Sequence, residues 1–189
     1  VKIMLAAVVG IGICGVAAGI GAFRGILSST PTIRLSDVVA VGEATIVYDK
    51  EGNEIDQYVS TNSNRLSVGM DEIPDYLGKA FVAIEDQRFY QHNGIDVKGI
   101  LRAGYQFLKT GGEEAQGAST ITQQLLKNTV FTDWTSEGNN KIKKIKRKIQ
   151  EQYLALEITK YYSKDEILLR YMNAINLGQN TLGVESASL

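Results

Sequence analysis

The sequence predicts a mainly α-helical protein in which one membrane-spanning helix and a short β-hairpin precede a helical domain. Three observations lead to this fold class. A charge-free apolar run extends from Ile3 to Phe23, two β-rich runs flank a turn between positions 45 and 59, and helical periodicity begins at Ile73. A length of 189 residues suits one domain with such attachments.

The apolar run from Ile3 to Phe23 is long enough to cross a bilayer. As a helix it would cover about 31 Å, which matches the hydrocarbon core. A signal peptide has a shorter apolar region, and a buried helix of a soluble protein would show a polar stripe. Lys2 precedes the run while Arg24 and Arg34 follow it, so these charges do not decide which end lies in the cytoplasm.

The segment after this span is interpreted as a linker that contains a hairpin. Residues 25–41 include a cluster of Ser, Thr and Pro. The β-rich runs Thr45–Tyr48 and Ile55–Val59 flank the turn-forming stretch DKEGN, which predicts a β-hairpin. We therefore expect a membrane anchor at 1–24, a linker with the hairpin at 25–60 and the main domain at 61–189.

The first helix of the main domain carries a candidate general base. It is expected to open at Pro74, and Leu77, Phe81 and Ile84 recur at spacings that mark a buried stripe. Glu85 falls at the margin of this stripe, where partial desolvation would raise the pKa of its carboxyl group. A base that works near neutrality needs such a pKa.

A second helix follows a glycine-containing loop in the segment QGASTITQQLLKN. Ser119 or Thr120 is the expected N-cap residue, and Lys127 lies further along the helix. Loop amides at a helix start, with hydroxyls and a lysine nearby, suit a phosphate or another anion. The alternative is an ordinary capped helix without a ligand.

A concentration of cations distinguishes the third helix, KIKKIKRKIQEQYLALEITKYY. Its expected buried stripe consists of Ile142, Ile145, Ile149, Tyr153 and Leu156. Glu151 lies almost opposite this stripe, so one interpretation is a solvated charged face with an Arg147–Glu151 pair. The excess of cations instead favours an anionic partner, which could be a lipid surface, a polyphosphate or a nucleic acid.

A fourth helix is expected to begin after Ser163. Ser163 and Glu166 have the spacing of a capping box, and Ile167, Leu168 and Tyr171 are the expected core residues.

Residue counts exclude several kinds of site. The single cysteine, Cys14, cannot form an internal disulfide, and the single histidine, His92, cannot support a His-rich zinc site. A net charge of -1 argues against a generic nucleic-acid binder, which is usually basic over a whole domain.

Together, four segments resemble the ordered motifs of family 51 glycosyltransferases, the peptidoglycan-polymerising domain of class A penicillin-binding proteins. The segments are AFVAIEDQRFYQHNG, GASTITQQLLKN, RKIQEQYLALEI and SKDEILLRYMNAINLGQNTLGVESAS. The resemblance implies a lysozyme-like, mostly α fold and an enzyme that polymerises lipid II. It also implies a single-pass protein of the cytoplasmic membrane with its catalytic domain on the extracytoplasmic side, and a domain that continues beyond Leu189.

The resemblance assigns roles by motif position. Glu85 corresponds to the base that deprotonates the 4-hydroxyl of the acceptor sugar, and Glu151 to a second carboxylate with a supporting role near the donor phosphates. The substrate-binding residues that it implies are Asp86, Phe89, His92, Ser119, Thr120, Gln123, Gln124, Lys127, Asn128, Arg147 and Lys148. His92 is expected to orient Glu85 or the loop.

The implied partners are lipid II, the growing glycan strand and membrane lipid, with other cell-wall synthesis or division proteins as candidates and no nucleic acid. No cofactor is certain. No dedicated set of metal ligands is visible, although a divalent cation, Mg²⁺ or Mn²⁺, could bridge the pyrophosphate to Glu151.

Two other functions are compatible with parts of the sequence. A lysozyme-like muramidase or lytic transglycosylase would also use carboxylates, but it has no pyrophosphate for a cation cluster to bind. A non-catalytic membrane scaffold would use the basic helix to hold anionic lipid and would need no base at Glu85.

Overall fold

The computed structural model describes residues 2–59, 64–110, 117–132, 138–178 and 181–189. The mainly helical fold class is confirmed. The helices are α1 (Lys2–Ser28), α2 (Asp75–Glu85), α3 (Val97–Lys109), α4 (Ile121–Thr129), α5 (Lys141–Ile158), α6 (Lys164–Ala174) and α7 (Val184–Ser188). The strands are β1 (Thr45–Tyr48), β2 (Glu54–Tyr58), β3 (Asn176–Gly178) and β4 (Thr181–Leu182). The predicted boundary between positions 60 and 61 lies outside the described residues.

Helix α1 is the predicted apolar span, and it continues beyond the predicted end of the anchor to Ser28. Its segment Val9–Ser28 has a mean hydropathy of 1.7 and is not buried against other protein. The helix ends where the Ser28 and Ser29 hydroxyls donate to the carbonyl oxygens of Gly25 and Ile26, at 3.0 and 2.8 Å. These bonds satisfy carbonyls that have no partner within the helix. By length and composition, α1 is a candidate membrane span.

The predicted β-hairpin is present. Strand β1 has its predicted bounds, and β2 pairs with it in antiparallel fashion but begins one residue earlier than predicted. The Asp49 carboxylate accepts hydrogen bonds from the backbone of Glu51 and Asn53, and Gly52 adopts a φ of 88°. An acidic side chain that holds the turn and a glycine that tolerates positive φ explain why the chain reverses here.

The segment between α1 and the hairpin packs onto the helical domain. The side chain of Val38 is fully buried in the core. The Tyr162 hydroxyl donates to the Leu35 carbonyl at 2.6 Å, and the Arg170 guanidinium donates to the Val38 carbonyl at 3.2 Å. This part of the predicted linker therefore contributes to the core.

Helix α2 begins at Asp75, one residue later than predicted, with Pro74 as its N-cap residue. Its packed face includes Leu77 and Phe81 of the predicted stripe but not Ile84. Ile84 is 80% exposed, whereas Gly78 is buried. A Cβ at Gly78 would lie 3.3 Å from a methyl group of Leu168, so the glycine allows α6 to approach closely. The prediction of a buried Ile84 was wrong because α2 contacts α6 at Gly78, and a pattern of apolar side chains does not include a glycine.

The core lies where α4 packs against both α5 and α6. The Tyr171 ring on α6 meets the Phe81 ring of α2 edge-on, with 5.8 Å between centroids. The predicted core residues of α6 are confirmed as buried, and so is its capping box. The buried apolar side chains are Val38, Ile73, Phe89, Ile121, Leu125, Leu126, Leu154, Ala155, Ile158, Ile167, Leu168, Tyr171, Met172, Ala174 and Val184.

The predicted stripe of α5 lies on the outer face of the helix. Ile142 is 80% exposed and Ile145 is 59% exposed. The face that packs on the core is instead the opposite one, which contains Arg147, Gln150, Glu151, Leu154, Ala155 and Ile158. Half of this face is polar, so a search for apolar periodicity selects the wrong side.

Candidate active site

A cleft of about 410 Å³ opens at the end of α2, between the start of α3 and the loop that leads into α4. Its wall combines carboxylates, hydroxyls and guanidinium groups. The lining residues are Ile84, Glu85, Asp86, Gln87, Arg88, Asp96, Gly99, Arg102, Gly117, Ala118, Ser119 and Thr120. The first and second sequence motifs, which are distant along the chain, thus meet at one concave surface.

Glu85 is the last residue of α2, and its carboxylate is exposed at this cleft. Its Oε2 accepts a hydrogen bond from Nε2 of Gln124 at 2.8 Å. The partial desolvation that the sequence pattern predicts for Glu85 is absent: Leu77 and Phe81 of the predicted stripe pack against the core, but Ile84 and Glu85 at the end of the helix are exposed. The exposed carboxylate is instead held by an amide from α4.

Asp86, the next residue, points the other way and is buried. Its two oxygens lie 3.0 Å from Nε2 of His92, and Oδ2 also accepts the backbone N–H of Ile121 at 3.1 Å. That N–H belongs to the first turn of α4, where amide groups lack partners within the helix and favour negative charge. Asp86 therefore joins the end of α2 to the start of α4.

The contacts of His92 define which ring nitrogen accepts and which donates a hydrogen bond. The backbone N–H of Gly94 donates to Nδ1 of His92 at 3.2 Å, so Nδ1 is an acceptor and carries no proton. Nε2 is then the atom that donates to Asp86. His92 contacts the loop of the site through Asp86 and Gly94. Phe89 is fully buried behind the cleft, so its contribution is to support this wall.

Thr120 is the N-cap residue of α4, which confirms one of the two predicted candidates. Its hydroxyl accepts the backbone N–H of Gln123 at 3.2 Å, and the Gln123 amide oxygen accepts the N–H of Thr120 at 3.2 Å. The same hydroxyl donates to the carbonyl of Gly94 at 2.7 Å. Gln123 is buried, whereas Ser119 lies on the cleft wall, so the two predicted binding residues occupy different environments.

A group of cations surrounds Glu151 behind the Ser119 side of the cleft. The carboxylate of Glu151 has no exposed surface and pairs with Arg147 and, at 2.8 Å, with Nζ of Lys148. Lys148 also donates to the Ser119 hydroxyl at 3.0 Å. The interpretation as a solvated surface pair was wrong, because α5 turns this face towards the core.

Lys127 of α4 belongs to the same group of charges. Burial lowers the pKa of its ammonium group, and the positive charges of Arg147 and Lys148 lower the pKa further, while Glu151 opposes them. Asn128 follows on the same helix and is half-buried. We define the basic cluster as Lys127, Arg147 and Lys148, with Glu151 as its counter-ion. Ser119 connects this cluster to the cleft.

The sequence motifs did not single out two arginines of the cleft wall. Arg88 forms an ion pair with Asp96, the N-cap residue of α3, and hydrogen bonding to Arg88 lowers the pKa of Asp96. Arg102 lies on α3 and is exposed. Helix α3 was not predicted as a separate element. The signal for Arg88 in the sequence was its position within the motif EDQRFYQHNG.

A metal site of protein ligands is not formed in the part of the chain that the structure describes, where no group of three His, Cys, Asp or Glu side chains converges. Glu151 does not fit as a ligand for a divalent cation. Its carboxylate is fully buried and already neutralised by Arg147 and Lys148, and the positive charges of these two residues would repel a divalent cation.

Comparison with known proteins identifies the family. Residues 51–189 match the model of the transglycosylase family. Penicillin-binding protein 1A of Clostridium perfringens is 44% identical over 86% of this chain and 23% of its own length. Penicillin-binding protein 1A of Clostridium botulinum is 42% identical over 93% and 20%, and penicillin-binding protein 1A/1B of Bacillus subtilis is 37% identical over 93% and 18%.

The chain therefore spans about a fifth of the length of these curated relatives. The match to the family model includes the cleft, the basic cluster and all four sequence motifs. The chain belongs to the transglycosylase family, the family 51 glycosyltransferases that its motifs resemble.

Proposed function

We propose that this chain is a peptidoglycan glycosyltransferase that polymerises lipid II, with Glu85 as its general base. One observation carries the proposal. An exposed carboxylate, Glu85, lines the same cleft as Ser119, whose hydroxyl is hydrogen-bonded to Lys148 of the basic cluster. The proposed base therefore shares its cleft with a hydroxyl that is bonded to the cations we propose for the leaving group.

The proposed reaction joins an acceptor sugar to the growing chain. Glu85 takes the proton of the acceptor 4-hydroxyl while that oxygen forms a bond to the anomeric carbon of the donor. The bond from this carbon to the lipid pyrophosphate breaks on the opposite face, which inverts the configuration. The pyrophosphate leaves with the bonding electron pair, and the proton stays on Glu85 until solvent removes it.

The basic cluster supplies what the leaving group requires. A pyrophosphate can depart without protonation when fixed cations stabilise its negative charge. Arg147 and Lys148 are held by the buried carboxylate of Glu151, so their positions are set before substrate binds. In this proposal Glu151 acts by holding cations, and no step requires it to exchange a proton.

The buried position of Glu151 also favours a transferase over a muramidase. A two-carboxylate hydrolase places an acid and a base across the scissile bond. Glu151 is inaccessible and neutralised by its partners. Besides Glu85, the carboxylates of the cleft wall are those of Asp86 and Asp96, and these are bonded to His92 and Arg88. The cation cluster has no partner in the hydrolysis of a neutral sugar linkage.

Binding of a divalent cation is part of the proposal, but at a different position from the one expected beside Glu151. Since Glu151 does not fit as a ligand, Mg²⁺ or Mn²⁺ would bind to the phosphate oxygens of the substrate itself. Removal of divalent ions with EDTA, followed by addition of Mg²⁺ or Mn²⁺, tests whether the rate depends on them.

The proposed location follows from the substrate. We place α1 across the cytoplasmic membrane and the helical domain on the extracytoplasmic side, where lipid II carries its disaccharide. Lipid II, the growing strand and membrane lipid are then the direct partners, and other cell-wall synthesis or division proteins are candidate partners there.

The test incubates the protein, purified with its membrane helix, with lipid II and separates the products by size. We expect long glycan strands and released undecaprenyl pyrophosphate. Short fragments released from finished peptidoglycan, with no polymer from lipid II, would establish a lytic enzyme instead. Binding of lipid II without any product would favour the scaffold.

A further inference from the structure

A buried hydroxyl lies directly behind the amide that holds Glu85. Tyr171 of α6 is fully buried, and its ring packs edge-on against Phe81. A buried hydroxyl is costly unless it forms a hydrogen bond. The Tyr171 hydroxyl forms one with Oε1 of Gln124, at 3.2 Å.

The chemistry of the three groups determines the direction of both hydrogen bonds. An ionised carboxylate only accepts hydrogen bonds, so the atom of Gln124 that faces Glu85 must be its NH₂ group. The 2.8 Å contact joins Nε2 to Oε2 of Glu85. The amide oxygen then faces Tyr171, and the phenol must donate. A flipped amide would bring two oxygens together at Glu85.

Tyr171 keeps its proton over the working pH range. Burial raises the pKa of the phenol, and the negative charge of Glu85 raises it further. The donor is therefore always available, and the rigid ring has little freedom in the core. Glu85 and Gln124, by contrast, are long side chains, of which Glu85 is exposed.

We propose that Tyr171 is a positioning residue for the reaction, because its hydroxyl fixes the Gln124 amide and that amide orients the Glu85 carboxylate. Oε2 of Glu85 is occupied by Gln124, which leaves Oε1 for the proton of the acceptor hydroxyl. The inference rests on the proposed function, since it requires Glu85 to be the base. It assigns a role in the reaction to a residue that sequence periodicity places only in the core.

The substitution Tyr171→Phe tests the relay, because it removes the hydroxyl and keeps the ring. We expect kcat for lipid II polymerisation to fall about three- to tenfold, the value of one neutral hydrogen bond, with KM unchanged. Tyr162→Phe is the matched control. It removes a hydroxyl that bonds to the carbonyl of Leu35, and kcat should stay at the native value.

A double-mutant cycle separates positioning from a general loss of structure. Gln124→Met removes the amide at a half-buried position and should lower kcat by at least as much as Tyr171→Phe. In the Gln124→Met background, Tyr171→Phe should have no further effect on kcat, because the relay is already broken. If the two substitutions lower kcat independently, so that their fold reductions multiply in the double variant, the proposal is overturned. A native kcat for either single variant would also overturn it.

Glu85→Gln, assayed in parallel, separates failure of the relay from failure of the proposed function. An inactive Glu85→Gln protein together with a fully active Tyr171→Phe protein would refute the relay alone. A fully active Glu85→Gln protein would refute the base, and the relay with it. If Tyr171→Phe does not fold, a native kcat in Gln124→Met still overturns the proposal.

Discussion

Glu151 serves the site without access to solvent, since its whole carboxylate is buried between α5 and the rest of the core. Arg147 and Lys148 pair with it, and burial of such charges is tolerated only because they neutralise one another. The sequence showed the spacing of these residues but not their burial. Burial depends on which face of α5 meets α4, and this contact is not encoded locally.

Glu151→Gln is expected to lower the free energy of unfolding by about 3 kcal/mol, because it leaves two cations beside a neutral amide. Chemical denaturation measures this loss. Glu157→Gln is the control, because Glu157 pairs with Lys160 at the surface and such pairs contribute about 0.5 kcal/mol. Equal losses in both variants would contradict the buried ion cluster.

In the proposed function, Lys127 is expected to make the reaction rate depend on pH in the alkaline range. Its lowered pKa means that the ammonium group loses its proton at a lower pH than an ordinary lysine. The value of kcat/KM, which reports ionisation of the free enzyme, should therefore fall as the pH rises through this pKa. Lys127→Arg keeps its charge at high pH, so the alkaline decline of kcat/KM should move to higher pH.

The control for this prediction is Lys79→Arg, at an exposed position on α2. It should leave the pH profile of kcat/KM unchanged. An alkaline decline at the same pH in the native and Lys127→Arg proteins would show that another group is responsible.

At the scale of elements, local signals and the buried face of α6 were predicted correctly, whereas the buried faces of α2 and α5 were not. The turn at Asp49, the N-cap Thr120 and the capping box at Ser163 depend on neighbouring residues, and all three are present. The faces of α2 and α5 depend on partners elsewhere in the chain. The contact at Gly78 and the partly polar buried face of α5 could therefore not be predicted from apolar periodicity.

Substitution of Gly94 tests how closely the loop that contains it approaches α5. It has a φ of 89°, and a Cβ there would overlap the carbonyl oxygen of Ala155. Gly94→Ala should destabilise the protein by about 3 kcal/mol, from strain at positive φ and from overlap with the helix. Thermal or chemical unfolding measures the change.

Gly52→Ala provides the matched control for Gly94. Gly52 has nearly the same φ, 88°, but no atom lies near the added methyl group. Its substitution should cost about 1 kcal/mol, from backbone strain alone. If both variants lose the same stability, the close approach of the loop to α5 contributes nothing.

For the whole molecule, the motifs predicted more of the site than periodicity did. Their resemblance to a family predicted that Glu85, Ser119, Lys148 and Glu151 belong to one site. The structure adds how these residues are held: Asp86 and His92 join α2 to α4, and Tyr171 supports the amide at Glu85. Such contacts link residues far apart in sequence, so they could not be derived from spacing.

The central claim is that Glu85 is the base of a lipid II polymerase, and the rate of Glu85→Gln measures it most directly. Gln has nearly the same shape but cannot accept the proton, so polymerisation should fall by at least about 100-fold while lipid II still binds. Glu51→Gln, on the hairpin turn, should polymerise at the native rate. Polymerisation by Glu85→Gln at the native rate would contradict the account.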